Sequence, residues 1–142
     1  MTVAAILQGK GSDVIHVRSD DSVLTAVQLL ARHRIGCVPV VDQGQVVGIF
    51  SERDLVYRVG EDGADALDRP VSSVMTSPAI TIAPDTPVLQ GLSMMTRRRI
   101  RHLPVIADGE LVGLVSIGDL VKFRIDRIEA EAEAMRVYIQ TA

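Results

Sequence analysis

HRIGCVPVVDQGQVVGIFSERDL (His33–Leu55) returns 65 residues later as RRIRHLPVIADGELVGLVSIGDL (Arg98–Leu120). Shifting the chain by that interval lays Val14–Tyr57 over Ala79–Lys122 without a gap. It gives 16 identities in 44 positions, with conservative apolar swaps such as Val38/Leu103, Val41/Ile106 and Ile49/Leu114 among the other pairs. Chance does not produce this, so the chain is two copies of one unit, and the fold must be read per unit.

Each copy carries the same local signals. Val14–Val17 and Ala79–Ile82 are short apolar runs, read as strands. SDDS and PDTP follow as turn and N-cap sequences. VLTAVQLLARHRI and VLQGLSMMTRRRI then place apolar residues at helical spacing, with Val23, Val27, Leu30 and Arg34 on one face in the first copy. VPVV and LPVI read as buried strands. DQGQ and ADGE read as hairpin turns whose glycine takes positive φ. VVGIF and LVGLV are the partner strands, and Ser-x-x-Asp opens a further helix. The order strand, helix, strand, strand, helix, with continuously apolar strands, predicts an α/β fold of the α+β type in which each short sheet is flanked by helices. One unit alone buries little core, so the two are expected to pack together.

Glu61–Arg69 is polar and reads as a linker. The expected organisation is a first repeat over 3–60, a linker over 61–70, a second repeat over 71–124 and a helical extension over 125–142. From Ile117 to Ile139, leading into that extension, Leu120, Val121, Ile125, Ile128, Ala132, Met135 and Ile139 fall at near-helical spacing. It either packs back on its own domain or offers an apolar stripe to a second chain.

Composition narrows the function classes. With 47% apolar and 23% charged residues in 142, the chain is an ordinary globular one. A formal net charge of −3 argues against a general nucleic-acid binder. Arg97, Arg98 and Arg99 end a predicted helix, where cations suit the helix dipole. No aromatic residues interleave with them for base stacking. Cys37 is the only cysteine, so no intramolecular disulfide forms. MTVAAILQGKGSD lacks the layout of a secretory signal, and no apolar run reaches the roughly 20 residues that span a bilayer. A cytoplasmic location and no membrane partner are expected. His16, His33 and His102 show no metal-ligand spacing, and no nucleophile stands at a recognisable spacing from a histidine base.

The two stretches quoted above, with VSSVMTSPAITIAPDTPV (Val71–Val88) leading into the second, resemble the CBS domain, named for cystathionine β-synthase. The resemblance covers about residues 3–124. It implies two tandem CBS repeats forming one pseudo-twofold Bateman module, with two clefts that take adenine-containing ligands such as AMP, ATP, NAD(H) or S-adenosylmethionine. It implies regulation of a partner protein rather than catalysis, no required cofactor, and pairing into a homodimer. The alternative is a ligand-free structural or dimerisation module.

The resemblance assigns ribose contacts to Asp54 and Asp119, with Ser51 and Ser116 near ribose or phosphate. A serine at a strand-to-helix junction can bond a ligand oxygen while free helix N–H groups favour phosphate. The same residues also read as N-caps with first-turn carboxylates, worth about 1 kcal/mol each or less. Arg53 is expected to reach phosphate from the first repeat, and its counterpart Gly118 cannot. Arg101 and His102, at positions that bind phosphate in energy-sensing kinase γ subunits, would reach across from the second. The second cleft is expected to be less cationic than the first. Val38, Pro39, Leu103 and Pro104 are expected to wall an adenine ring.

Overall fold

The structure is a computed structural model that describes residues 1–11 and 13–142. Its elements run α1 (Val3–Lys10), α2 (Val23–His33), β1 (Cys37–Asp42), β2 (Gln45–Ser51), α3 (Glu52–Asp62), α4 (Val88–Arg98), β3 (His102–Ala107), β4 (Glu110–Ser116) and α5 (Ile117–Thr141). The mixed helix-and-sheet class and the two repeats are those expected.

Each repeat is built on one antiparallel hairpin, β1–β2 or β3–β4. Both hairpins close with two residues of positive φ, Gln43-Gly44 (51° and 77°) and Asp108-Gly109 (52° and 79°). That is the type I′ geometry whose twist suits a two-residue connection, and glycine fills its second position without steric cost. Both hairpins also carry a register irregularity at the same place, Val40/Val41 and Val105/Ile106.

The strands expected at Val14–Val17 and Ala79–Ile82 shrink to single parallel bridges, Val17 to Val40 and Ile82 to Val105. Val17 donates to the Pro39 carbonyl and accepts from the Val41 amide, and Ile82 does the same with Pro104 and Ile106. Extending either ladder backwards would need an N–H from Pro39 or Pro104, which proline lacks. The repeated proline limits the third strand to one residue.

Helices α2 and α4 lean on these hairpins. Ser22 caps α2 by accepting from the Thr25 amide. Pro87 cannot cap α4 that way and no side chain does so; the buried Thr86 hydroxyl before it accepts from the Ala83 amide within the preceding turn. Both helices end on an arginine in the left-handed region, Arg34 at φ 53° and Arg99 at φ 55°. Two cores result. Val17, Val23, Ala26, Leu30, Val38, Val40 and Phe50 fill the first. Ile82, Val88, Met95, Leu103, Val105, Val115 and Leu120 fill the second.

The segments that lead into each repeat cross over. Val71 and Val74, which precede the second repeat, are buried in the first core. Val3, with Ile6 and Leu7 beside it, belongs to the second. Backbone bonds seal both crossings. Val3 and Ala4 donate to the Thr86 and Pro84 carbonyls, while Val71 and Ser72 donate to those of Asp21 and Ser19. Thr76 and Ile49 exchange bonds of 2.8 and 2.9 Å. The repeated glycines of the second strands make room for this. A Cβ at Gly48 would lie 2.7 Å from Met75 Sδ and 2.9 Å from the Thr76 carbonyl oxygen, and one at Gly113 would lie 2.5 Å from Leu7 Cδ2.

The polar stretch Glu61–Arg69 is itself folded. It finishes α3 and forms a 3₁₀ helix over Gly63–Asp68, with Ala66 fully buried. Arg69 pairs with Asp62 at 3.2 Å. At its other end the chain leaves the body: α5 has 25 residues, or about 37 Å at the helical rise. Leu120 is buried, and every residue from Ile125 to Ala142 is exposed. Residues 125–142 therefore do not pack back on the body.

Candidate functional site

Where β2 runs into α3, the chain turns from apolar to polar at Ser51. Its hydroxyl accepts from the Asp54 amide at 3.3 Å, and its amide donates to Asp54 Oδ2 at 2.9 Å. Ser116 and Asp119 repeat this at the start of α5, at 3.1 and 2.9 Å. Both segments are reciprocal capping boxes, with aspartate in the place usually held by glutamate. The capping role weighed from sequence is therefore real, and it fixes both carboxylates at helix starts, where free N–H groups gather.

Between the two repeats lies a cavity of about 340 Å³, within the range of small-ligand sites. From the first repeat it is lined by Ser51, Glu52, Arg53 and Asp54 with Gly36, Cys37 and Ile49. Thr76, Pro78, Ala79 and Ile80 come from the crossed lead-in. Arg99, Ile100, Arg101, His102, Ser116 and Ile117 complete it from the second repeat. Six residues singled out from sequence thus meet in one cleft: Ser51, Arg53, Asp54, Arg101, His102 and Ser116.

The side chains divide by chemistry. Asp54 Oδ2 accepts from both the Ser51 amide and the Ser51 hydroxyl, while Oδ1 accepts only from Thr76 Oγ1 at 2.9 Å and keeps a lone pair for a ligand hydroxyl. Arg53 crosses the cleft and donates from Nη1 to the Arg99 carbonyl at 3.1 Å; among the described residues its other N–H groups have no protein acceptor. The isoleucines at 49, 80, 100 and 117 give the cavity an apolar wall.

His102 differs from its expected role as a cation. Burial lowers its pKa, and the charges of Arg101 and Lys10 lower it further against the pull of Glu52 and Asp119. It is neutral at pH 7 and offers one donor and one acceptor. Its ring is close to Gly36, whose added Cβ would stand 3.5 Å from His102 Cε1. Cys37 is 1% exposed, and its thiol is pushed up to about 12, first by burial and then by the Asp54 charge. It is a protonated wall of the site.

Two expectations are corrected. Val38 and Leu103 are wholly buried in the two cores, and Pro39 and Pro104 are buried with them. They support the cleft from behind, and the isoleucines line it. The second aspartate is also not in a cation-poor setting. Lys10, at the end of α1, donates to Asp119 Oδ2 at 2.5 Å and to the Leu114 carbonyl at 2.9 Å. Burial pushes the Asp119 pKa up, but Lys10 and the Ser116 amide outweigh it and hold it below the ordinary value. Asp119 does not line the 340 Å³ cavity. Lysine stands at Asp119 where threonine stands at Asp54. The chain therefore distinguishes the two sites with a residue from the N-terminal lead-in helix α1.

Thr76, Lys10 and Glu52 were not legible as site residues. Thr76 and Lys10 reach the carboxylates only through the crossed lead-ins. The repeated pairs Ile15/Ile80 and Ile35/Ile100 were the available signal for the apolar wall.

Hairpin-and-helix repeats that exchange lead-ins and face each other across a cleft define a paired α/β module. The chain belongs to the CBS-domain family: that family's model, described as CBS domain, matches residues 10–61 and 71–126. It is 33% identical over 148 residues to the mitochondrial CBS domain-containing protein CBSX3 of Arabidopsis thaliana, covering 98% of this chain and 72% of that one. Among solved structures it is similar to the CBS-domain protein ATU1752 of Agrobacterium tumefaciens. The TM-score is 0.84 and the identity 42%, over 87% of this chain and 99% of that one. It is also similar to the CBS domain pair of protein MJ0100, solved in complex with 5′-methylthioadenosine and S-adenosyl-L-methionine. That TM-score is 0.79 and the identity 26%, over 89% and 98% of the two chains. Among the described residues no helix is long and apolar enough to cross a membrane.

Proposed function

We propose that this protein is a regulatory sensor that binds one adenine-containing small molecule per chain in the cleft between its repeats and passes the signal to an effector protein. The observation that carries this reading is the convergence of Ser51, Asp54 and Thr76 with Arg53 and Arg101 around an apolar-walled cavity of ligand size. Asp54 Oδ1 accepts a ribose hydroxyl, the isoleucines sandwich the base, and the arginines face phosphate. The adenosine-derived ligands of the MJ0100 pair support the same ligand class.

Charge favours a small ligand within that class. Arg53, Arg99 and Arg101 against Glu52 and Asp54 leave one net positive charge (three minus two) in the lining, with His102 neutral. A nucleoside or monophosphate such as AMP suits this better than ATP, and NAD(H) remains a candidate through its adenylate half. The second site is held shut by the Lys10–Asp119 pair. The protein works in the cytoplasm as a homodimer and performs no catalysis.

Small molecules released from the denatured protein, identified by mass spectrometry, give the ligand directly. Calorimetry with AMP, ATP, NADH and 5′-methylthioadenosine then tests the site. Asp54→Ala removes a charge-assisted hydrogen bond worth about 1.5–3 kcal/mol, so affinity should fall at least about tenfold. No released ligand, no binding heat and no thermal shift with any of the four would leave the ligand-free structural module as the correct reading.

A further inference from the structure

The exposed tail of α5 carries a pattern that its own body does not use. Val121, Ile125, Ile128, Ala132, Met135 and Ile139 follow each other at steps of 4, 3, 4, 3 and 4 residues. That alternation is the seam of a heptad, with Ile125, Ala132 and Ile139 at a positions and Val121, Ile128 and Met135 at d. All six are exposed, Met135 by 60% and Ile139 by 66%. The helix is anchored at its base by Leu120 in the second core, so its tail is held out in a fixed direction.

The charges beside the seam choose the partner and its direction. In a parallel pair, each g residue faces the e residue five positions later on the other helix. Here Arg124 (g) meets Glu129 (e), and Glu131 (g) meets Arg136 (e). Twofold symmetry repeats both, giving four attractive pairs and no repulsive one. Among the described residues Arg124 and Glu129 have no ion-pair partner within the chain. Glu131 and Arg136 have only exposed intrahelical ones, to Arg127 and Glu133, which are readily exchanged. An antiparallel pair that stacks the same six layers brings Glu129 and Glu131 against their own copies and Lys122 near Arg136.

We propose that residues 121–139 pair with the same residues of a second copy as a parallel, in-register two-stranded coiled coil. This rests on the homodimer reading above and adds the surface, direction and register. The two modules then sit side by side at one end of a shared stalk.

Sedimentation equilibrium of the full chain tests it, with a thermal melt to confirm that each variant keeps the folded body. Glu129→Arg turns two attractive pairs repulsive, and the dimer dissociation constant should rise about tenfold or more. The double variant Arg124→Glu/Glu129→Arg should recover to within about threefold of the parent. Ile139→Cys should form a covalent dimer under mild oxidation, because a disulfide needs Cα atoms within about 7 Å. An antiparallel pair would hold these cysteines roughly 27 Å apart. Cys37 is buried and does not compete. A dimer untouched by Glu129→Arg, or a failure of the double variant to recover, overturns the coil while leaving the homodimer standing. So does a dimer that Ile139→Cys cannot lock. A monomer at every concentration overturns both and assigns the stripe to a different protein.

Discussion

Replacing Gly48 with alanine tests the crossed lead-ins at the point where backbone meets backbone. The new Cβ would stand 2.9 Å from the Thr76 carbonyl oxygen and 2.7 Å from Met75 Sδ. Met75 can swing away, but the Thr76 carbonyl is held by the Ile49 amide at 2.9 Å, and the Thr76 amide donates back at 2.8 Å. Relief therefore stretches two backbone hydrogen bonds, each worth about 1 kcal/mol net, and adds an overpacking cost of about 1 kcal/mol. Alanine recovers roughly 0.4–1 kcal/mol by restricting the unfolded chain. The net loss is about 2 kcal/mol, which for a chain of this size lowers the melting midpoint by roughly 5–8 °C. Gly113→Ala meets only the Leu7 side chain, which can change rotamer, so its cost should be about 1 kcal/mol or less. Thermal and urea melts followed by circular dichroism compare the two. If Gly113→Ala proves equal to or worse than Gly48→Ala, the close backbone approach does not have the importance assigned to it. Gly48→Ala should also weaken nucleotide binding, since Thr76 carries the hydroxyl that braces Asp54.

Lys10→Met should leave the body folded and free the Asp119 carboxylate, raising the stoichiometry of AMP from one to two per chain in calorimetry. A stoichiometry that stays at one would remove Lys10 as the plug. The same pair shapes the acid limb of stability. Because the Asp119 pKa is lowered on folding, its contribution is present above the ordinary carboxylate value near 4 and is lost as pH falls below it. Lys10→Met should flatten that limb by a few tenths of a kcal/mol, given the half-exposed lysine, as read from melting midpoints against pH. Cys37, buried and with its thiol at about 12, should not react with an aromatic disulfide reagent at pH 8 in the native state and should titrate as one thiol in denaturant. Rapid native reaction would mean that the cavity wall opens.

What the sequence disclosed was local or repeated. The hairpins were legible because Gln43-Gly44 and Asp108-Gly109 state their own turn, and the capping boxes because Ser51 and Asp54 are three residues apart. The third strand was overread because Pro39 and Pro104 limit it from the opposite side of the ladder, where no periodicity in Val14–Val17 reports it. Val38 and Leu103 were misplaced for a related reason: a strand buried on both faces has no pattern to say which face meets the cleft. Thr76 and Lys10 lay beyond reach because the fold, not the neighbouring sequence, brings them to aspartates 22 and 109 residues away. Arg53 could be placed in the cleft, but its bond to the Arg99 carbonyl depends on the left-handed turn that ends α4.

The exchange of lead-ins has a bearing on how such a chain could arise. A single repeat, cut before its neighbour, carries a segment that fits only the other core and leaves its own core uncovered. It would be complete only as one member of a pair. Tandem duplication makes that partner part of the same chain, present at the high effective concentration of a short connection. The 3₁₀ turn at Gly63–Asp68 is that connection. Once the two halves are joined, either copy is free to drift, and one can gain an arginine while the other keeps glycine.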